Sequence, residues 1–450
     1  MIKTGRHALV IGYGRSGRAA AAFIKRQGGT VRVVDRADTP ELRAELERAG
    51  IAARLGGYGA QDLNGTDLVV VSPGVPWDEP LVETARQRGM EVTSEIDLFF
   101  RACPARIAGI TGTNGKTTTT ALTAEVLRAG GLQVMRGGNI GEPVLDRIEQ
   151  LHAEDWVVLE LSSFQLESIE RPRLRIGVVL NVTPDHLDRH KSFERYVELK
   201  TRAVAFMESD DHAVLNVDDP TCAAMRSETR GRVIEFGLHH PVGNGVTTSD
   251  GWIMMADAGQ PRRVMRTADV PLPGEHNLSN VMAAIGAGYA AGVDAERMAE
   301  AARRFKAVEH RLEPVGTFHG ARWYNDSKAT NPDSTYKALA AFREPIILIA
   351  GGRNKGIDLE PLARTIAQRV TGLVTMGETG EELARRVRDA GLDRVERAAD
   401  LGDAVRKAAA LARPGSVVLL SPAFTSYDMF SDYEDRGRRF KATVRAELGQ

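Results

Sequence analysis

The chain has 450 residues, 42% of them hydrophobic and 26% charged. That is an ordinary balance for globular chains with sizeable cores and, at roughly 150 residues per domain, enough for about three domains. A net charge of −1 and an isoelectric point near 6.8 give no electrostatic reason for a nucleic-acid or membrane partner, and two cysteines, Cys103 and Cys222, exclude a disulfide framework and fit a reducing cytoplasm.

In chain order, MIKTGR runs straight into a strand, HALVI, with no signal-peptide anatomy. No apolar run further along approaches the ~18 residues of a membrane span. Gly12, Gly14 and Gly17 follow the strand in G-Y-G-R-S-G, then a helical pattern and a second strand ending in Asp35. This is the Rossmann fingerprint, in which glycines let a pyrophosphate approach a helix N-terminus. NAD and a UDP-sugar suit it equally, and a tight strand–helix turn without ligand needs the same glycines. DLVVVSPGVP repeats the theme with Ser72, Pro73 and Gly74, and the unit closes near residue 103.

The stretch IAGITGTNGKTTTT then reads as a buried strand, a glycine loop and a helix start. Gly112, Gly115 and Lys116 form a phosphate cradle in which the lysine reaches the outer phosphates, and the Thr117 hydroxyl suits Mg²⁺. The spacing is shorter than the usual G-x-x-x-x-G-K-[ST], because Ile110 occupies the place of the first glycine. A loop carrying Asn139 follows the next strand, and Glu160 ends the strand in DWVVLELSSF, where an acid can bind a cation. NVTPDHLDRH is a polar loop with Asp185, His186, Asp188 and His190. On the following helix Lys200 lies beside an apolar stripe of Tyr196, Leu199 and Ala203, so it is either a snorkelling rim lysine or a functional one. GWIMMADAG and PRRVMRTADV predict a hairpin. GEHNLSN opens a helix with Asn277 and Asn280 in its first turns, where amides read a base edge or cap the helix.

Past residue 307, strand and helix patterns alternate again, predicting a third doubly wound unit. Polar clusters end its strands: Asp326, Lys328 and Thr330; Arg353 and Lys355; Ser421 and Ser426. Three such loops from one sheet suit an anionic substrate.

Together GTNGKTT, Glu160 in VLELSSFQL, NVTPDHLDRH, GEHNLSN, EHR around Arg311 and SPAFTSYDMF resemble the Mur ligases of peptidoglycan synthesis, in the right order and over essentially the whole chain. NDSKATNPDS, the SPGV loop and the short N-terminal unit are most similar to the branch that adds D-glutamate. The resemblance implies an α/β protein of three domains: a Rossmann-like UDP-substrate domain (1–103), a central P-loop ATPase-type domain (104–307) and a mobile, Rossmann-like C-terminal domain (308–450). It implies ATP on Gly112, Thr113, Asn114, Gly115, Lys116, Thr117 and Thr118, with Asn277, Asn280, Arg311 and Asp326 at the base, ribose or phosphates. One Mg²⁺ would lie on Thr117 and Glu160, and a second on His186 and a carbamylated Lys200, making Lys116, Glu160, His186 and Lys200 the catalytic set. UDP-N-acetylmuramoyl-L-alanine (UDP-MurNAc-L-Ala) would meet Gly14, Arg15, Ser16, Asp35, Arg36, Ser72, Gly74, Asn139 and His186. D-glutamate would meet Lys328, Thr330, Lys355, Ser426 and Tyr433. Arg36 stands where the family suggests a small hydroxyl residue, and Tyr433 where it suggests phenylalanine.

The implied reaction phosphorylates the alanyl carboxylate and lets the glutamate amine capture the acyl phosphate, in a cytoplasmic monomer. A rival of another class, an NAD-dependent oxidoreductase, rests on the N-terminal fingerprint and Asp35. It leaves GTNGKTT, Glu160 and the third domain unexplained.

Overall fold

The computed structural model describes residues 5–240, 242–257 and 260–449; the side chain of Asp188 lies outside that description. Three α/β sheets follow one another along the chain. The first consists of β1 (His7–Ile11), β2 (Thr30–Asp35), β3 (Ala52–Leu55), β4 (Leu68–Val71) and β5 (Glu91–Thr93) in the order 3-2-1-4-5, all parallel. Apart from His7 at the start of β1, its central strands β1 and β4 are buried, as parallel strands covered on both faces by helices must be. The fingerprint glycines have a packing cause. Gly12 has φ 85°, and a Cβ on Gly17 would lie 2.1 Å from the Gly12 carbonyl oxygen. The chain can turn from β1 into the helix Arg15–Arg26 only with glycine at both places.

The second sheet begins with β6 (Arg106–Thr111), β7 (Val134–Gly138), β8 (Trp156–Glu160) and β9 (Ile176–Val179) and continues with β10 (His212–Asn216) and β11 (Arg232–Gly237). It ends with β12 (Gly245–Ser249), β13 (Trp252–Asp257) and β14 (Gln260–Arg266), in the overall order 14-13-12-11-10-9-6-8-7. The expected hairpin is β13–β14, antiparallel with Trp252 opposite Arg266. The third sheet holds β15 (Glu313–Phe318), β16 (Ala321–Asn325), β17 (Ile346–Gly351), β18 (Gly372–Met376), β19 (Val395–Arg397) and β20 (Val417–Leu420) in the order 15-16-20-17-18-19. Only β15 runs antiparallel.

The chain packs as two compact units, Met1–Thr267 with Ser279–Arg303, and Ala268–Leu278 with Arg304–Gln450. The first two sheets share a unit because one apolar core runs through both, from Val10 and Phe99 to Leu145, Val157 and Leu166. Polar contacts finish that join. Glu95 accepts from the Leu145 amide at 3.2 Å, and Asp97 accepts from the Glu170 amide at 2.9 Å. Among the described residues no helix is long and apolar enough to cross a membrane.

Sheet order puts the motifs together. In each sheet, loops bearing predicted site residues follow the carboxyl ends of neighbouring parallel strands, the edge at which open α/β sheets bind ligands. These loops follow β2, β1 and β4 in the first sheet, β9, β6, β8 and β7 in the second, and β16, β20 and β17 in the third. Lys200, Asn277, Asn280 and Tyr433 lie instead on helices, and Arg311 precedes β15.

Candidate active site

The phosphate loop turns from β6 into the helix Lys116–Ala129 through Gly112, at φ 149°, and Gly115, at φ 85°. A side chain at Gly115 would collide with Asn280, whose Oδ1 lies 2.3 Å from the Cβ position, so Asn280 abuts the cradle. Asn181, just past β9, braces the loop from the other side. Its carbonyl accepts from Thr113 N and its Oδ1 from Asn114 N, each at 2.8 Å, and its Nδ2 donates to the Asn114 carbonyl. The Lys116 ammonium donates to the carbonyls of Gly112 (3.0 Å) and Thr113 (2.9 Å), which hold it at the mouth of the cradle. Thr117 and Thr118 are buried in the first turn of the helix. A helix N-terminus, a lysine and a hydroxyl thus lie together, the set of groups an anion site uses.

One strand over, Glu160 ends β8 and is 3% exposed. Asn139 donates to its Oε1 at 3.3 Å, while Oε2 is buried with no hydrogen-bond partner among the described residues. A buried carboxylate oxygen left bare is costly unless a cation or donor meets it. The orphaned oxygen, with Thr117 on the neighbouring element, fits a hard cation that takes oxygen ligands.

Lys200 is no rim lysine. It is 1% exposed, and its Nζ donates to the Gly112 carbonyl at 2.8 Å and lies 4.6 Å from the centre of the Tyr196 ring. Burial, and then the Lys116 ammonium, push its pKa well below the ordinary lysine value. The snorkelling reading fails because the helix Phe193–Ala205 presents this position to β6, not to solvent. Tyr196 is itself buried, with its hydroxyl 3.2 Å from Thr113 Oγ1. Burial pushes that phenol up to about 12, so it stays protonated.

His186 opens a one-turn helix, Leu187–His190, at φ 53°, half exposed and 5.2 Å from the Phe164 ring. His190 closes the turn and is buried. Asn277 donates to the Pro273 carbonyl at 2.7 Å at the start of the helix Glu275–Ala290. It packs with the second compact unit, whereas Asn280 packs with the first.

In the first sheet, a cavity of about 440 Å³ is lined by Gly14, Arg15, Ser16, Asp35, Arg36, Ser72 and Gly74 together with Tyr58. Asp35 spends one oxygen on the Tyr13 amide (2.7 Å) and the other on the Ala37 amide (2.9 Å), so it fixes the turn. Arg36 is held by Glu79 at 2.9 Å, with its guanidinium 5.7 Å from the Tyr58 ring centre. Asn139 and His186 are not in this cavity's lining.

In the second unit, Asp326 accepts from the Leu312 amide (3.2 Å) and from Ser421 Oγ (2.9 Å), and burial raises its pKa to about 7 even beside Arg311. Arg311 is anchored through its neighbour. His310 is buried against Gly437, and Lys441 binds Glu309 and Glu313 at 2.6 and 2.8 Å. Lys328 lies 5.6 Å over the Tyr433 ring, Ser426 is buried, Thr330 is half-buried and Lys355 is exposed on its loop.

Two residues that sequence patterns did not single out organise the site. Asn181 opens NVTPDHLDRH, where nothing in its spacing marks it as the brace of a loop 67 residues earlier. Arg436, fully buried, donates through Nε to Ser327 Oγ (2.9 Å), through Nη2 to the Ser327 carbonyl (2.8 Å) and through Nη1 to the Phe424 carbonyl (3.2 Å). It thereby clips the loop after β16 to the loop after β20. Its spacing from Phe440 and Val444 puts it on the buried face of the helix Tyr433–Leu448, unlike the exposed Arg438 and Arg439, and that was the signal available in the sequence.

Family models describe the same three parts. Residues 6–94 match the MurD-like N-terminal domain of Mur ligases, 110–288 the Mur ligase middle domain and 310–424 the Mur ligase glutamate ligase domain. A UDP-N-acetylmuramoylalanine--D-glutamate ligase from Pelotomaculum thermopropionicum is 43% identical over 98% of both chains, and one from Koribacter versatilis is 42% identical over 98% of this chain and 97% of its own. Among solved structures, the UDP-N-acetylmuramate-alanine ligase of Thermotoga maritima superposes with a TM-score of 0.60 at 20% identity, covering 98% of this chain and 100% of that one. The MurF ligase of the same organism, solved with ADP, gives 0.58 at 17% identity, covering 99% and 96%.

Proposed function

The chain belongs to the Mur ligase family, and from that premise we propose that it joins D-glutamate to UDP-N-acetylmuramoyl-L-alanine, cleaving ATP to ADP and phosphate. The single observation that supports this most is the phosphate loop at the carboxyl end of β6, with the bare oxygen of Glu160 one strand away.

An amide does not form from a carboxylate and an amine at useful rates, because the oxygen that must leave is a poor leaving group. One alanyl carboxylate oxygen therefore attacks the γ-phosphorus of ATP, the bond to the β–γ bridging oxygen breaks, and ADP departs. The amine of D-glutamate then adds to the carbonyl carbon of the acyl phosphate, loses a proton, and phosphate leaves. Lys116 and the helix N-terminus balance charge on the phosphates, a positioning and electrostatic task. Thr117 and Glu160 would hold one Mg²⁺, and His186 with Lys200 a second; bound Mg²⁺ supplies charge neutralisation on the transferring phosphoryl group. Lys200 would serve as a carbamate: burial favours the neutral form of its amine, which would bond to the carbon of CO₂ and release a proton, giving an oxygen ligand. The cavity of the first sheet would take the UDP end of the substrate, and Lys328, Thr330, Lys355, Ser426 and Tyr433 the glutamate. The enzyme would work as a monomer in the cytoplasm, on small molecules only.

The test is phosphate release with UDP-MurNAc-L-Ala and a panel of amine acceptors. D-glutamate is expected to support turnover while L-glutamate, L-lysine and D-alanyl-D-alanine do not. Turnover with another acceptor, and not with D-glutamate, overturns the assignment.

A further inference from the structure

We propose that His190 is a positioning residue that fixes the spacing between His186 and Lys200, the two side chains that would share a cation. This rests on the functional reading above, and it concerns a histidine which that reading leaves idle.

The one-turn helix Leu187–His190 is an unlikely object to be rigid on its own. It has four residues, and it is bracketed by two non-glycine residues in the left-handed region, His186 at φ 53° and Lys191 at φ 69°. Such residues hold that conformation only where their surroundings enforce it. The enforcing contacts converge on His190. Its ring is 4% exposed, its Nε2 lies 2.9 Å from Ser163 Oγ, and its backbone amide donates to the His186 carbonyl at 3.0 Å.

The ring then reaches both prospective ligands through one aromatic neighbour each. On one side it stacks on Phe164, with centroids 4.9 Å apart and planes 24° apart, and Phe164 meets the His186 ring at 5.2 Å. On the other it packs on Tyr196 at 5.4 Å, and the Tyr196 ring carries Lys200 Nζ at 4.6 Å. Ser163 adds a third tie, because it opens the short helix three residues past Glu160. The two segments that carry His186 and Lys200 therefore meet at one imidazole, which the helix after Glu160 anchors through Ser163. A satisfied core histidine would need one hydrogen bond and apolar walls; this one bridges the ligand-bearing elements in register. Outer partners that orient metal ligands typically change metal affinity by about 10- to 100-fold when removed.

The experiment uses the full-length enzyme with a non-hydrolysable ATP analogue and UDP-MurNAc-L-Ala. Mn²⁺ is titrated by electron paramagnetic resonance, and a lysine carbamate is sought by carbon-13 NMR after labelling with ¹³CO₂. For the wild type, two bound Mn²⁺ and one carbamate resonance are expected. His190→Ala, checked for folding by circular dichroism, is expected to weaken one Mn²⁺ by about 10-fold or more and leave the other unchanged. His190→Phe keeps both ring contacts and is expected to lose only about threefold at that cation, as is Ser163→Ala, which removes the hydrogen bond alone. If His190→Ala does not fold, those two variants decide, and unchanged affinity in both overturns the proposal. Folded His190→Ala with both Mn²⁺ affinities and the carbamate resonance intact overturns it as well. A wild type with one Mn²⁺ and no carbamate removes the two-cation reading itself, and this inference with it.

Discussion

A lysine ammonium sealed from water beside a second ammonium is unstable as a charge, and Lys200 stands in that position next to Lys116. The consequence is chemical, since a neutral amine can capture CO₂ and a solvated ammonium cannot. Lys200→Ala is expected to lose about a hundredfold or more in turnover, the scale on which charge-stabilising groups act, and to regain part of it with added acetate or propionate. Absence of rescue, measured by ADP release, would remove the carbamate. Glu95 is a second residue whose environment is readable as chemistry. Burial raises its pKa from 4.5 to about 7, against the opposing Leu145 amide. Because the folded state holds the proton more tightly than the unfolded one, stability is fully present in acid and is lost as pH rises from about 4.5 to about 7. The loss is on the order of 3 kcal/mol. Glu95→Gln has no proton to lose, so its unfolding midpoint should exceed that of the wild type at pH 8 and not at pH 4. Equal pH profiles would contradict the buried, protonated carboxyl.

Strands were legible in the sequence wherever they are buried on both faces. HALVI, LVVV, WVVLE and IILIAG are apolar runs, and each forms a strand with every or nearly every residue inside. What escaped was edge and brace. The antiparallel strand β15 reads EPVGTF, where Pro314 and Gly316 flank a bulge and spoil the alternation that would mark it. The helix Pro40–Arg48 has one buried residue, Leu46, and so gives no apolar stripe to find. Asn181 and Arg436 escaped for another reason. Their importance lies in which backbone groups they meet, and sequence spacing does not encode that. The Arg436 clip makes an element-level prediction. Arg436→Met would strand the Ser327 and Phe424 carbonyls in the interior, at about 1–3 kcal/mol for each unsatisfied group. The loops after β16 and β20 should loosen together. KM for D-glutamate is expected to rise about tenfold or more, with KM for the UDP-substrate nearly unchanged, in steady-state kinetics. Equal rises in both would show general damage and not a glutamate-loop role.

At the scale of the molecule, one device is used three times: a parallel sheet whose strand order gathers short polar loops at its carboxyl edge. The first sheet offers a cavity walled by a helix start and glycines, the second a lysine-bearing glycine loop beside a carboxylate with one unpartnered oxygen among the described residues, and the third a cluster of hydroxyls and cations. Motif order along the chain makes that division readable in the sequence, because each loop is local in sequence. The N-terminal fingerprint alone left NAD open; the middle-domain cradle and the family membership do not. The central claim is that ATP is cleaved in order to activate a carboxyl group, and oxygen bookkeeping tests it most directly. UDP-MurNAc-L-Ala labelled with oxygen-18 in its alanyl carboxylate is converted with ATP and D-glutamate, and the released phosphate is weighed by mass spectrometry. An acyl phosphate route predicts one labelled oxygen in each phosphate for each amide formed; phosphate without label would contradict it.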